Sequence, residues 1–247
     1  MLQSFNTVFV QNEASLELMQ KHGYMQGKLA FDTRFDRVQA VAAQQRSIPE
    51  IETFTQGFNV IVAGSTWPGD ERILSHAMYH SLVYLNFKLI LAPHHIDDRS
   101  LRRTMRKFKK YSIHWSEIST LTEEQLIARR ILIMDNMGML PYLYRYGDVN
   151  YVGGGFNRGV HNTLEAAVYG KPVIIGPKFK QFPEAVDLVK QNAALDITSE
   201  DDLLNRINLM NQFPFILKGA GDMAARYVQE HTGGTNTILQ AIRGYLG

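Results

Sequence analysis

The stretch Tyr151-Val-Gly-Gly-Gly-Phe-Asn-Arg-Gly-Val-His-Asn-Thr-Leu-Glu-Ala-Ala-Val-Tyr-Gly-Lys-Pro-Val-Ile-Ile-Gly-Pro177 carries more structural information than any other part of the chain. A β-branched run, Val149 to Val152, ends in three consecutive glycines, and a polar turn feeds a helix opening near Asn162 and stopping at Gly170. A second apolar run ends in Gly176-Pro177. The pattern predicts strand, glycine turn, helix and strand, a unit that places ligands at the carboxyl ends of its strands. Glycines there let backbone N–H groups approach an anion, and the helix start directs its positive end at it. A phosphate-bearing ligand is the expected occupant.

The same alternation runs the length of the chain and predicts an α/β, Rossmann-like parallel sheet flanked by helices. Strands are expected at Thr7 to Val10, Val60 to Ala63, Leu89 to Leu91, Ile131 to Met134, Val149 to Val152 and Val173 to Ile175. Helices are expected near Ala14 to His22, Asp70 to Tyr84, Asp97 to Lys107, Met139 to Tyr146, Thr163 to Tyr169, Phe182 to Val189, Asp201 to Met210, Phe215 to His231 and Thr235 to Leu246. A single strand and helix, Thr7 to His22, cannot bury a core of its own. Residues 1–42 therefore read as the tail of a preceding domain with its joint, 43–57 as a polar connector, and 58–247 as the complete unit.

Composition narrows the function. The 247 residues are 45% hydrophobic, ordinary for a globular protein with a core. No apolar run approaches the roughly 20 residues that cross a bilayer, and Met1-Leu-Gln-Ser-Phe-Asn6 lacks the basic start and apolar middle of a signal peptide. There is no cysteine, so disulfides and thiolate metal sites are excluded, the composition expected of a cytoplasmic protein. A net charge of +2 gives no reason to expect nucleic acid.

Several constellations stand at predicted strand ends. Asn162 and Glu165 fit a capping box, with the carboxylate returning to free backbone N–H groups. They equally fit a nucleotide site in which Glu165 accepts from two ribose hydroxyls, a carboxylate being a pure acceptor. Gly64-Ser-Thr-Trp-Pro-Gly-Asp-Glu71 offers Ser65 or Thr66 to a phosphate or carboxylate, or is turn chemistry with Asp70 and Glu71 complementing a helix dipole. His94 and His95 could touch a phosphate or base; with Asp97 and Asp98 they also look like a metal cluster, although adjacent residues rarely converge on one ion. In Asp135-Asn-Met-Gly-Met-Leu140, Asn136 serves as a cap and Gly138 as a tight turn. Lys178 and Lys180 are either solvated or face an acidic sugar. Arg99, Arg102, Arg103, Arg106, Lys107, Lys109 and Lys110 form a basic helix, a solvated face or a contact for anionic lipid headgroups.

Together these motifs resemble the C-terminal half of 3-deoxy-D-manno-octulosonic acid (Kdo) transferases, GT-B glycosyltransferases of lipopolysaccharide assembly. The matching stretches are Gly64-Ser-Thr-Trp-Pro-Gly-Asp-Glu71, Asp135-Asn-Met-Gly138, Val152-Gly-Gly-Gly155, His161-Asn-Thr-Leu-Glu-Ala-Ala167 and Gly170-Lys-Pro-Val-Ile-Ile-Gly-Pro177, with Asp32-Thr-Arg-Phe-Asp36 similar to the family's interdomain joint. The resemblance implies transfer of Kdo from CMP-Kdo to a lipid A precursor at the cytoplasmic face of the inner membrane. It implies a donor site lined by Ser65, Thr66, His94, Gly138, Gly154, Gly155, Asn162 and Glu165. No metal or further cofactor is implied. The family's acceptor cleft and general base lie in its N-terminal domain, so the resemblance implies no catalytic residue in this chain and no transfer by it alone. The lipid acceptor would be reached through that other domain, with Arg102, Arg103, Arg106 and Lys107 available to an anionic membrane surface. His94 stands where many members carry arginine, Met139 where glutamate is usual, and Phe31 where glycine is usual. The rival readings are another GT-B enzyme, a UDP-sugar transferase or epimerase, and a non-catalytic nucleotide- or lipid-binding module.

Overall fold

The computed structural model describes residues 2–79, 86–109 and 111–246. Seven parallel strands form its main sheet: β3 (Asn59–Thr66), β4 (Phe87–Pro93), β5 (Ser112–His114), β6 (Ile131–Ile133), β7 (Val149–Val152), β8 (Val173–Ile175) and β9 (Ala194–Asp196), in the order β5-β6-β4-β3-β7-β8-β9. The chain first builds outward from β3 through β4, then returns to lay β7 against the other side of β3. The carboxyl ends of β3 and β7 therefore flank the switch point of the sheet, where open α/β sheets hold ligands.

Helices cover both faces, which is why the strands are apolar on both sides. Val60 and Val62 of β3 point into one core, with Ile90 of β4, Val173 of β8, and Phe35, Ile51, Phe54 and Tyr227 from helices. Ile61 and Ala63 point into the other, with Ile73 and Leu74 of α4 (Pro68–Ala77), Phe108 of α5 (Asp98–Phe108) and Leu203 and Ile207 of α10 (Glu200–Gln212). The period of two along each strand separates the two sets.

The first residues form a separate two-stranded parallel sheet, β1 (Val8–Val10) and β2 (Gly27–Leu29), joined by α1 (Glu13–Lys21). No residue of α1 is buried, and Leu18 and Met25 are exposed. The next helix, α2 (Thr33–Ala43), buries Phe35 and Val38 in the main core. Residues 43–57, expected as a connector, contain a helix, α3 (Pro49–Thr55), whose Ile51 and Phe54 are fully buried. Pro49 sits in the first turn, where its missing N–H costs no hydrogen bond.

All six expected strands are present, and β2, β5 and β9, three residues each, add to them. Among the described residues the remaining α-helices are α6 (Glu123–Ala128), α7 (Leu140–Leu143), α8 (Leu164–Ala167), α9 (Pro183–Lys190), α11 (Pro214–Glu230) and α12 (Gly234–Leu246). Residues 80–84 of the helix expected over Asp70 to Tyr84, and Lys110 of the basic run, lie outside the described residues.

Candidate functional site

At the end of β3 the ladder shifts register between Gly64 and Thr66, and Ser65 takes the left-handed conformation with φ 52°. A non-glycine residue held there is strained, a cost that surrounding contacts must offset. Beside the bulge, the buried Thr66 hydroxyl has no hydrogen-bond partner among the described residues.

Asp70, in the first turn of α4, ties the two loops together. Its Oδ1 accepts from the Tyr151 hydroxyl at 2.8 Å, and its Oδ2 accepts from the backbone N–H groups of Trp67 at 2.8 Å and Gly154 at 2.9 Å. Burial raises the pKa of this carboxyl, and the donors from Gly154, Trp67 and Tyr151 work against that rise. Glu71 beside it is equally buried and accepts from Thr104 and from Lys107 Nζ, each at 2.9 Å. Both acids are interior cross-links, a role beyond the helix-dipole part expected of them.

The glycine turn corrects one expectation. Gly153 N–H donates to Gly64 O and Gly154 N–H to Asp70, so neither amide is free for an anion. The glycines serve close packing of backbone on backbone. A Cβ on Gly153 would lie 2.5 Å from Ser65 O, and one on Gly155 2.6 Å from Gly176 Cα. Three strand ends converge here at a spacing no side chain permits.

Over that convergence lies a stack of aromatic rings. Trp67 Nε1 donates to His161 Nε2 at 2.8 Å with the two rings nearly coplanar, 9° apart. His94, held at the end of β4 by its N–H bond to Thr66 O, stacks on His161 at 4.5 Å and on Trp67 at 4.8 Å. His95 meets Trp67 and His94 edge-on. Burial lowers the pKa of both His94 and His161, aided by His95 beside the first and His94 beside the second. Among the described residues no group of three or more His, Cys, Asp or Glu side chains is placed to hold a metal ion.

The capping box at Asn162 is not formed. Thr163 is the N-cap of the four-residue α8, and its side chain caps nothing. Asn162 Oδ1 accepts from Leu164 N at 3.2 Å, while its Nδ2 donates to Glu165 Oε1 at 3.1 Å. The carboxylate is thereby oriented by a side chain and turned into a cavity of about 160 Å³ between α8 and α2. Arg34, Arg37, Pro141 and Tyr169 also line that cavity. Burial raises the Glu165 pKa, opposed by the Asn162 hydrogen bond and the nearby Arg37 charge.

Ser65, Thr66, His94, Gly154 and Gly155 thus gather around the switch point, and Asn162 and Glu165 line the adjoining cavity beside α2. Gly138 stands apart, exposed at the end of β6 with φ 88°, the tight turn expected of it. Asn136 there bonds Met139 Sδ at 2.9 Å and caps no helix. Lys178 donates to Asn157 O, so it braces the polar turn. Trp67, Asp70, His161 and the arginines of α2 were not singled out as site residues by sequence reasoning. Their partners lie far along the chain, and only the His161-Asn162 adjacency hinted at one of them.

The basic helix α5 needs a second correction. Lys107 Nζ is drawn inward to Glu71 and to Pro68 O at 3.0 Å, so it does not belong to an outer basic face. Arg103 is half-buried, whereas Arg99, Arg102, Arg106 and Lys109 are exposed.

Against known proteins, the chain is 23% identical over 249 aligned residues to the 3-deoxy-D-manno-octulosonic acid transferase of Rickettsia felis, covering 99% of this chain and 53% of that protein. The chain is a homologue of Kdo transferases along nearly its whole length. It spans about half the length of the Kdo transferases it matches. The C-terminal CMP-Kdo binding domain of WaaA from Acinetobacter baumannii superposes with a TM-score of 0.63 at 21% identity, covering 78% of this chain and 98% of that domain. UDP-GlcNAc 2-epimerase from Neisseria meningitidis gives 0.65 at 14% identity, covering 97% of this chain and 61% of the enzyme. These likenesses show that the fold is that of a GT-B C-terminal domain, the parallel sheet expected from the strand pattern. No family model matches the chain. Among the described residues no helix is long and apolar enough to cross a membrane.

Proposed function

We propose that this chain is the CMP-Kdo donor-binding domain of a Kdo transferase acting on a lipid A precursor. The observation that carries the reading is the polar lining at the switch point, formed by the stretches that resemble Kdo transferases. In this reading Ser65, Thr66 and His94 meet the donor's phosphate. Asn162 presents Glu165 to the ribose diol, and Gly138 borders the base. Gly154, its amide held by Asp70, shapes the floor together with Gly155. The unit from about residue 58 onward holds the donor, with α2 and α3 packed onto it.

Ligand-observed NMR and calorimetry on residues 1–247 test this. CMP is expected to bind weakly and to be displaced poorly by UDP, with a Glu165→Ala protein of unchanged circular dichroism losing most of the binding. Preference for UDP would favour a UDP-sugar enzyme, a reading kept open by the fold shared with the epimerase. Residues 1–247 are expected to bind donor without transferring sugar. Holding both reactants together lowers a barrier by as much as about 7–11 kcal/mol, and the family's acceptor cleft and base belong to another domain. The outward stripe Arg99, Arg102 and Arg106 is proposed to meet anionic headgroups at the inner membrane, so sedimentation with anionic vesicles should fall as salt rises.

A further inference from the structure

The ring stack at the switch point contains two imidazoles in unequal circumstances. An indole N–H can only donate, so the 2.8 Å contact from Trp67 Nε1 requires a bare, accepting Nε2 on His161. The proton of His161 must then sit on Nδ1, and a second proton cannot enter at Nε2 without breaking the indole bond. His94 has no such lock. It lies face-on over both members of the Trp67–His161 pair, and no hydrogen bond fixes its ring nitrogens among the described residues.

The surrounding charges leave His94 as the group free to respond. Asp70, facing the same turn from α4, has its oxygens engaged by Tyr151, Trp67 and Gly154. Asp97, at the start of α5, accepts from Ser100 N as the helix cap. Lys107 is held on Glu71 and Pro68 O. His95 shares the loop and meets His94 edge-on, and His161 supplies the stacked face. Among the described residues no carboxylate is hydrogen-bonded to either imidazole, so an anion entering here meets a site whose positive charge must be recruited.

We propose that Trp67 is a positioning residue that locks His161 as a neutral Nδ1–H donor, and that His94 takes up one proton from solvent when the donor's anionic phosphate binds. The phosphate is thus bound by a histidine made cationic on demand. This rests on the proposed donor reading for its ligand, but the Trp67–His161 lock can be tested without any ligand. The balance is one proton moved from water or buffer to a free ring nitrogen of His94, with no covalent bond to the ligand.

The test has two arms. In the first, 15N-edited NMR of histidine-labelled ligand-free protein should show His161 as the Nδ1–H tautomer, resisting protonation to a pH well below that of a free histidine. In Trp67→Phe, His161 should titrate at a higher pH, with the fold checked by circular dichroism. A His161 that titrates alike in both proteins overturns the lock. In the second, CMP binding is measured by calorimetry across pH 5.5 to 8 in two buffers of different ionisation enthalpy. The nucleotide's own ionisation cancels when His94→Gln is measured in parallel. Wild-type affinity is expected to fall more steeply than the variant's, with up to about a tenfold difference per pH unit while the proton is being lost. His94→Arg should bind CMP with the shallow dependence of the glutamine variant at higher affinity. CMP binding with the same proton count in wild type and His94→Gln overturns the proton uptake and leaves the donor reading standing. Absence of CMP binding at every pH overturns both.

Discussion

The two ends of the main sheet each bury an ionisable group, and they use it differently. At the carboxyl end Asp70 is fully buried and receives a hydroxyl and two backbone N–H groups from two separate segments, the loop after β3 and the end of β7. At the amino end Lys88 is also fully buried, in β4. Its Nζ donates to Phe54 O at 2.5 Å and Ile127 O at 2.6 Å and lies over the rings of Phe54 and Phe58. Lys88 fastens α3 and the α6 region to β4. Asp70 fastens the loops that carry Trp67, Gly154 and His161. The same device, a buried charge satisfied largely by backbone, supports stability at one end and aligns the proposed donor surface at the other.

Removing Asp70 should break this symmetry most. Asp70→Ala leaves the Tyr151 hydroxyl and two N–H groups buried without an acceptor, at about 1–3 kcal/mol for each group left unpaired. We expect a loss of about 3 kcal/mol or more in urea unfolding and at least a tenfold weaker response to CMP. Tyr151→Phe removes a single donor and should cost only about 1 kcal/mol. Equal losses in the two variants would mean that Asp70 does not organise the turn.

Lys88 should appear in stability alone. Burial, with Arg130 close by, lowers its pKa from 10.5 to about 8. The unfolded chain therefore holds this proton more tightly than the folded protein between those two values. Stability contributed by this group rises as pH increases through that window, by on the order of 3 kcal/mol. In Lys88→Met that rise should vanish, while CMP affinity at pH 7 stays within twofold of wild type. A rise of the same size in both proteins would assign it to other groups.

The sequence disclosed the sheet but not these tethers, for a physical reason. Runs such as Val149 to Val152 announce strands because both faces are covered by helices, whereas Ala194-Leu-Asp196 of β9 is too short for any period to register. Strand ends were likewise legible, and Ser65, His94 and Gly154 stand at them as their positions predicted. The bonds that give those ends their geometry were not. Asp70 and Gly154 are 84 residues apart, and Trp67 and His161 are 94 apart, so no local spacing encodes either contact. Asn162 and Glu165, three residues apart, did announce an interaction. The partner proved to be side chain to side chain, which left the carboxylate facing the cavity beside α2.

Chemical-shift mapping of residues 1–247 titrated with CMP tests most directly whether the carboxyl end alone is the binding surface. Shifts are expected to concentrate at Trp67, His94, Gly154, Asn162 and Glu165, with Lys88, Phe54 and Ile127 unmoved at saturation. Shifts centred on the amino end of the sheet, or saturable binding that leaves the carboxyl end unchanged, would contradict that assignment.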